Sequence, residues 1–157
     1  MKGDPKVIEF LNRALYNELT AINQYFLHAK MQENWGYLRL GKKTREESIE
    51  EMGHAEVVIE RILFFEGHPN LQRLFPLRIG ETVREQFECD MKIEVEAVDR
   101  LRRGIEHMRS VGDVTSARLF EDILADEEHH IDYLETQLEL IDRIGEANYL
   151  AQYLHED

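Results

Sequence analysis

Two Glu-x-x-His pairs, Glu51/His54 and Glu127/His130, interrupt stretches whose apolar residues otherwise recur at helical spacing. Residues three apart lie on one face of an α-helix, so each pair aims a carboxylate and an imidazole at one point. Two lone acids accompany them: Glu94 follows Glu18 at the same interval at which Glu127 follows Glu51. One Glu from each of two helices and one Glu-x-x-His pair from each of two others is the ligand set of a dinuclear metal site inside a four-helix bundle. Few folds bring together six such residues spread so far along a chain.

The surrounding pattern predicts helices from end to end. Prolines fall only at 5, 69 and 76. A first helix runs from Pro5, a favoured first-turn residue, to Gln32 or beyond, with Ile8, Leu11, Leu15, Ile22, Tyr25 and Ala29 as its stripe and Glu18 filling the gap. A second opens near Thr44, which with Glu47 has capping-box spacing, and closes at Gly67-His68-Pro69. Segment 68 to 81, with two of the three prolines, reads as a long connection. A third helix begins near Glu81 or Thr82 and places Glu94 between Met91 and Val98 on its apolar stripe. A fourth follows Val111-Gly112-Asp113, its series Phe120, Ile123, Leu134, Leu138 and Ile141 broken by Glu127 and His130. Gly145 stops it, and Tyr149 to Leu154 forms a small fifth helix. The expected fold is all-α, a four-helix bundle with a long crossover between helices two and three, in one domain over residues 1–157.

Burying an unpaired carboxylate costs at least several kcal/mol. Here four glutamates occupy positions where the helical period calls for leucine, and no Lys or Arg shares these stripes at the same level. Two divalent cations would balance the four negative charges, the histidines being neutral. Two trivalent ions with one bridging oxide carry the same total charge, so one cage serves both redox states. Oxygen and imidazole ligands without thiolate suit iron, manganese, cobalt or zinc.

Composition excludes several classes. The net charge of −13 argues against a nucleic-acid or anionic-membrane binder, since both require cationic surface. A single cysteine, Cys89, leaves no intrachain disulfide and no Cys-rich zinc site. The opening Met1-Lys2-Gly3-Asp4-Pro5 lacks the apolar core of a signal peptide, and no stretch is apolar enough to span a membrane. The expected setting is the reducing cytoplasm.

Over essentially its whole length the chain resembles the bacterioferritins of the ferritin-like superfamily. The likeness lies in the opening Met-Lys-Gly-Asp, Asn-Gln-Tyr-Phe at 23–26, Glu-Glu-Met-x-His-Ala at 50–55, Glu-Gly-x-Pro-Asn-Leu at 66–71 and Leu-Glu-Thr-Gln-Leu at 134–138. The resemblance implies a ferritin-like bundle and an iron-storing ferroxidase that converts Fe(II) to Fe(III) with oxygen or peroxide as oxidant. Glu18, Glu51, His54, Glu94, Glu127 and His130 would hold two iron ions per subunit, Glu51 and Glu127 bridging, Glu18 with His54 and Glu94 with His130 completing one iron each. It further implies a 24-subunit homo-oligomeric shell built from haem-bridged dimers and enclosing a ferric mineral.

Met52 lies between the members of the first pair. One residue is about 100° around a helix, so Met52 points away from the metal face, where a methionine could pack against another subunit. In the family the residue at this position ligates iron of a b-type haem shared between two subunits. Methionine ligation raises haem potential, and the haem would pass electrons inward for iron release, received from a small ferredoxin. Leu71, Leu77 and Glu81 resemble parts of the ferredoxin docking surface. Tyr25 resembles a redox-active tyrosine of the family, with a plain buried tyrosine as the alternative. Tyr133 stands where some relatives have Trp. Glu46 and Glu50, a turn apart, match a pair that forms an inner-surface iron site in some members, although a His there is replaced by Glu46. Glu47 is expected to serve the helix start, His129 to face solvent, Trp35 to pack in an interface or core, and His28, His68, His107 and His155 to be solvent-facing or packing residues.

Other classes remain. A non-storage di-iron carboxylate redox enzyme, such as a rubrerythrin-type peroxidase, would carry a Cys-x-x-Cys module that this chain lacks. A structural or haem-binding bundle would bind metal adventitiously. A DNA-protecting miniferritin would place its metal site between subunits.

Overall fold

The computed structural model describes residues 1–154. Its helices are α1 (Pro5–Asn34), α2 (Leu38–Phe64), α3 (Val83–Ser110), α4 (Val114–Ile144) and α5 (Glu146–Ala151). Helix α1 packs mainly against α2 and α3 against α4, and α1 also meets α3. With short turns after α1 and α3 and a long crossover between α2 and α3, this is the expected ferritin-like architecture. Among the described residues no helix is long and apolar enough to cross a membrane.

Local chemistry sets most boundaries. Asp4 caps α1, accepting from the Val7 amide at 3.1 Å, with Pro5 in the first turn. Thr82 accepts from the Glu85 amide at 3.1 Å to start α3, and Asp113 accepts from the Ser116 amide at 3.0 Å to start α4. Gly145, at φ +84, separates α4 from α5.

The start of α2 differs from the expectation. The helix begins at Leu38, not near Thr44. Gly36, at φ +93, reverses the chain just past α1, and the Tyr37 amide closes onto the Gln32 carbonyl at 2.9 Å. No linker is then needed. A Cβ on Gly41 would come within 3.0 Å of the Ala29 carbonyl, so glycine there lets the two helices approach closely. Thr44 lies inside the helix and donates to Gln32 Oε1 at 2.7 Å; it caps nothing. The C-terminal helix is likewise shifted, beginning at Glu146 instead of Tyr149.

Two apolar clusters fill the bundle. One, around Leu11, Leu15, Ile62, Leu101, Met108 and Phe120, lies towards one end. The other, around Leu40, Val83, Phe87, Leu134, Ile141 and Tyr149, closes the opposite end under α5. Ala21, Tyr25 and Ile93 form a small apolar group apart from these. Between the two large clusters the interior carries buried polar and charged side chains, Glu18, Glu51, Glu94 and Glu127 among them.

The crossover is held by side chains of α1 at intervals of four. Asn12 donates to the His68 carbonyl and accepts from the Asn70 amide, both at 3.2 Å. Tyr16 meets Phe75 edge-on. Thr20 accepts from the Phe75 amide at 2.8 Å, and Gln24 accepts from the Arg78 amide at 2.8 Å. His28 Nε2 accepts from the Gly80 amide at 3.0 Å, with Nδ1 3.0 Å from Asp90 Oδ1. An extended segment has no ladder of its own, and its amides need partners wherever they are shielded. The polar stripe of α1 supplies them and so fixes where α3 begins.

Thr20→Val removes the acceptor while keeping the shape. It should cost about 1 to 3 kcal/mol in urea unfolding and speed hydrogen exchange at the Phe75 amide in the native state. Unchanged exchange there would show that Thr20 does not hold the crossover.

Candidate metal centre

The acids and histidines chosen by spacing meet at the polar level. Glu18, Glu51, Glu94 and Glu127 are at most 4% exposed and His54 is 8% exposed. Ligand atoms of Glu18, Glu51, His54 and Glu127 lie within 4.8 Å of one another, as do those of Glu51, Glu94, Glu127 and His130. Glu51 and Glu127 belong to both groups, and each remaining acid pairs with one histidine.

His54 Nδ1 lies 3.1 Å from Glu127 Oε1, 3.4 Å from Glu51 Oε2 and 3.6 Å from Glu18 Oε2. His130 Nδ1 lies 3.1 Å from Glu94 Oε1. Glu18 Oε2, Glu51 Oε2, Glu94 Oε2, His54 Nδ1, His130 Nε2 and both Glu127 oxygens are buried without a hydrogen-bond partner. Native proteins rarely leave so many such atoms in one place. Two divalent cations fit this donor set in number, charge and hardness.

Without cations, protons moderate the charge. Burial raises the Glu18 pKa. Burial, followed by the charges of Glu18 and Glu127, pushes Glu51 well above the usual carboxylate range. Burial alone would lower the pKa of His54, but its contacts with Glu127 and Glu18 hold it up at about 11. His130 is also raised, against burial, chiefly by Glu47. Metal binding must displace these protons.

Other expectations have mixed outcomes. Tyr25 is fully buried, its hydroxyl donates to Glu94, and burial pushes its pKa well above the ordinary value. Tyr133 packs 6.2 Å from His130 between ring centroids. Glu46, Glu50 and His129 are exposed, and ligand atoms of Glu50, His54 and Asp126 form a third group within 4.8 Å of one another, at the more exposed side of His54. Leu71, Leu77 and Glu81 are exposed on the crossover. His68 is exposed, and His107 meets Asp4 at 2.8 Å. His28 proves to be packed, with no exposure at all. Trp35 does not enter the core of this chain, being 36% exposed beside Tyr37. His155 lies outside the described residues.

Glu47 requires a correction. Because α2 starts earlier, Glu47 is no cap: it is buried, and its Oε2 lies 2.8 Å from His130 Nε2. Asp126, which no spacing in the sequence singles out, contacts His54 Nε2 through Oδ2 at 2.8 Å. Asp90, 2% exposed one turn before Glu94, is a further buried acid. For Glu47 a signal existed, since Thr44, Glu47, Glu51, His54 and Val58 follow one another at steps of three or four on one face.

Met52 is 55% exposed, on the opposite side of α2 from the cluster. It lies in an open groove with Leu19, Ile22, Ile49, Gly53 and Ile59. A Cβ on Gly53 would meet nothing within 4 Å, so no packing inside this chain calls for glycine there. A thioether in a broad apolar groove fits a flat apolar macrocycle in its donor and its lining.

Stability of the metal-free chain should fall as pH rises. His54, raised from 6.5 to about 11, contributes stability that is complete below 6.5 and lost on approach to about 11. Glu18 and Glu51, raised above 4.5, oppose folding increasingly once the pH exceeds that value. Both effects have the same sign. Calorimetry should show Tm dropping from about pH 6.5 upward, with a shallower slope in saturating Zn²⁺. A Tm that rises with pH in the metal-free chain would contradict this account of the cage.

Residues 8–144 match the family described as the ferritin-like domain. The chain is 61% identical over 156 residues to the bacterioferritin of Streptomyces coelicolor, covering 99% of this chain and 93% of that protein. It is 59% identical to a bacterioferritin of Mycobacterium tuberculosis, over 97% of this chain and 96% of that one. A solved mycobacterial bacterioferritin superposes with a TM-score of 0.97 at 61% identity, covering 98% of this chain and 95% of that one. By these matches over nearly its whole length, the chain belongs to the bacterioferritins.

Proposed function

We propose that this protein stores and detoxifies iron. It oxidises Fe(II) at an intrasubunit di-iron centre formed by Glu18, Glu51, His54, Glu94, Glu127 and His130, and holds the ferric product in a shell. The observation that carries this is the set of buried, unpartnered carboxylate oxygens shared between two ligand groups. Such a cluster is unfavourable unless it takes up cations.

Iron is the substrate. Two ferrous ions bind as protons leave the acids and imidazoles. One electron from each reduces dioxygen, which takes up two protons and departs as hydrogen peroxide, leaving two ferric ions. The dry apolar clusters at either end of the bundle strengthen the attraction of four carboxylates for the higher charge. Glu51 and Glu127 would be shared by both ions, while Glu18 with His54 and Glu94 with His130 serve one each. Tyr25, donating to Glu94, holds that carboxylate in place.

Met52 would ligate a haem shared with a second copy, giving the dimers from which a 24-subunit shell is built. When bound, the haem supplies one-electron transfer for iron release. The apolar groove around Met52 and exposed Phe26 and Ile49 support pairing of chains. A small ferredoxin would deliver the electrons near Leu71, Leu77 and Glu81.

Glu94→Ala should abolish rapid ferrous oxidation while the particle still assembles; stopped-flow oxidation of two ferrous ions per chain at the parental rate would refute the ligand assignment. Met52→Leu keeps volume nearly constant. It should lose the low-spin six-coordinate haem spectrum and slow reductive release, with rapid uptake intact. An unchanged spectrum would refute that ligation. Ferrous iron beyond two per chain should still be oxidised and stay soluble in a large hollow particle by gel filtration and microscopy. Precipitation outside the protein would sink the storage role.

A further inference from the structure

Each histidine of the cluster spans the bundle. His54, on α2, turns Nδ1 towards the glutamates and Nε2 towards Asp126 of α4, at 2.8 Å. His130, on α4, turns Nδ1 towards Glu94 and brings Nε2 to within an ion-pair distance of 2.8 Å of Glu47 of α2, at an angle outside hydrogen-bond geometry. The two contacts are reciprocal: each of these helices supplies the imidazole for one and the carboxylate for the other. The backbones of α2 and α4 approach closely at few places, so side chains carry the contact between them.

We infer that Glu47 and Asp126 are positioning residues that select Nδ1 of His130 and His54 as the metal-binding nitrogens. A carboxylate 2.8 Å from Nε2 favours the tautomer with its proton on that nitrogen, as the hydrogen bond of His54 to Asp126 shows, and leaves the lone pair at Nδ1, on the side where the unpartnered glutamate oxygens lie. The carboxylate also makes that lone pair more basic and fixes the ring plane. The surroundings of the two acids differ. Glu47 is buried, 9% exposed at the side chain, with Lys43 Nζ 3.8 Å away; Asp126 is 51% exposed. Water competes for Asp126 and scarcely for Glu47, so Glu47 controls its ion more strongly. This inference rests on the di-iron centre proposed above, with Glu94 and His130 serving the ion that Glu47 controls.

The test uses purified protein and Co²⁺ alone, read by calorimetric titration and by the visible ligand-field spectrum. The parent should bind two Co²⁺ per chain. Glu47→Ala should weaken one of the two about 10- to 100-fold and alter its spectrum. Glu47→Gln, whose carbonyl oxygen can accept the same proton, should recover most of the loss, which a merely space-filling role would not require. Asp126→Ala should weaken the other ion by a smaller factor. In the Zn²⁺ form, ¹⁵N-histidine NMR should show both rings protonated at Nε2 in the parent, and His130 losing that signature in Glu47→Ala. Far-UV circular dichroism confirms that each variant is folded. If Glu47→Ala binds both Co²⁺ with parental affinity and spectrum, Glu47 is not a positioning residue, although the metal centre stands. The same conclusion follows if Glu47→Gln binds no better than a folded Glu47→Ala. If the parent itself takes up no Co²⁺, the metal centre falls, and the positioning role with it.

Discussion

Four carboxylates buried at one level of a helical bundle, none of them paired with a lysine or arginine among the described residues, are the constraint around which this molecule is organised. Each would be costly alone, and together they repel one another. The chain tolerates them because apolar clusters above and below supply its cohesion. The metal-free cage lowers its charge by keeping protons on Glu51 and His54. The cluster is thus a costly arrangement of a kind that could hold metal.

Holding such a cage open requires rigid walls. Two polar networks provide them. The side chains of Asn12, Thr20, Gln24 and His28 satisfy the backbone of the crossover, tying the start of α3 to α1. Thr44, Gln32 and Gln86 link α2, α1 and α3 in series. Because every link is directional, these networks specify the register of the helices more narrowly than apolar packing does. Register matters here, since a slip of one turn on any helix would move its carboxylate about 5.4 Å out of the cluster.

The two faces of α2 divide the chemistry. Glu51 and His54 turn inward to the cage, whereas Met52, between them in sequence, stands on an open apolar groove. A helix three residues wide can therefore serve an ion inside its own bundle and a partner outside it, with the backbone as a rigid separator.

The helical period, the interruption of apolar stripes by Glu18, Glu51, Glu94 and Glu127, and the two Glu-x-x-His pairs were legible from the sequence. They determined the fold class and the six residues that converge, because burial of charge is so costly that its placement on an apolar face is informative in itself. The start of α2, the place of Glu47 and the contact of Asp126 with His54 were decided only in three dimensions. A left-handed glycine at Gly36 removed the need for a linker, so Thr44 and Glu47 became interior residues. A capping box and a buried helical turn share the same three-residue spacing, and only the packing of α4 against α2 tells them apart. Which nitrogen of each histidine faces the cage, and what holds it there, depends on side chains of opposite helices more than 70 residues away, as in the pairing of His54 with Asp126 at a separation of 72. No local pattern records such a contact.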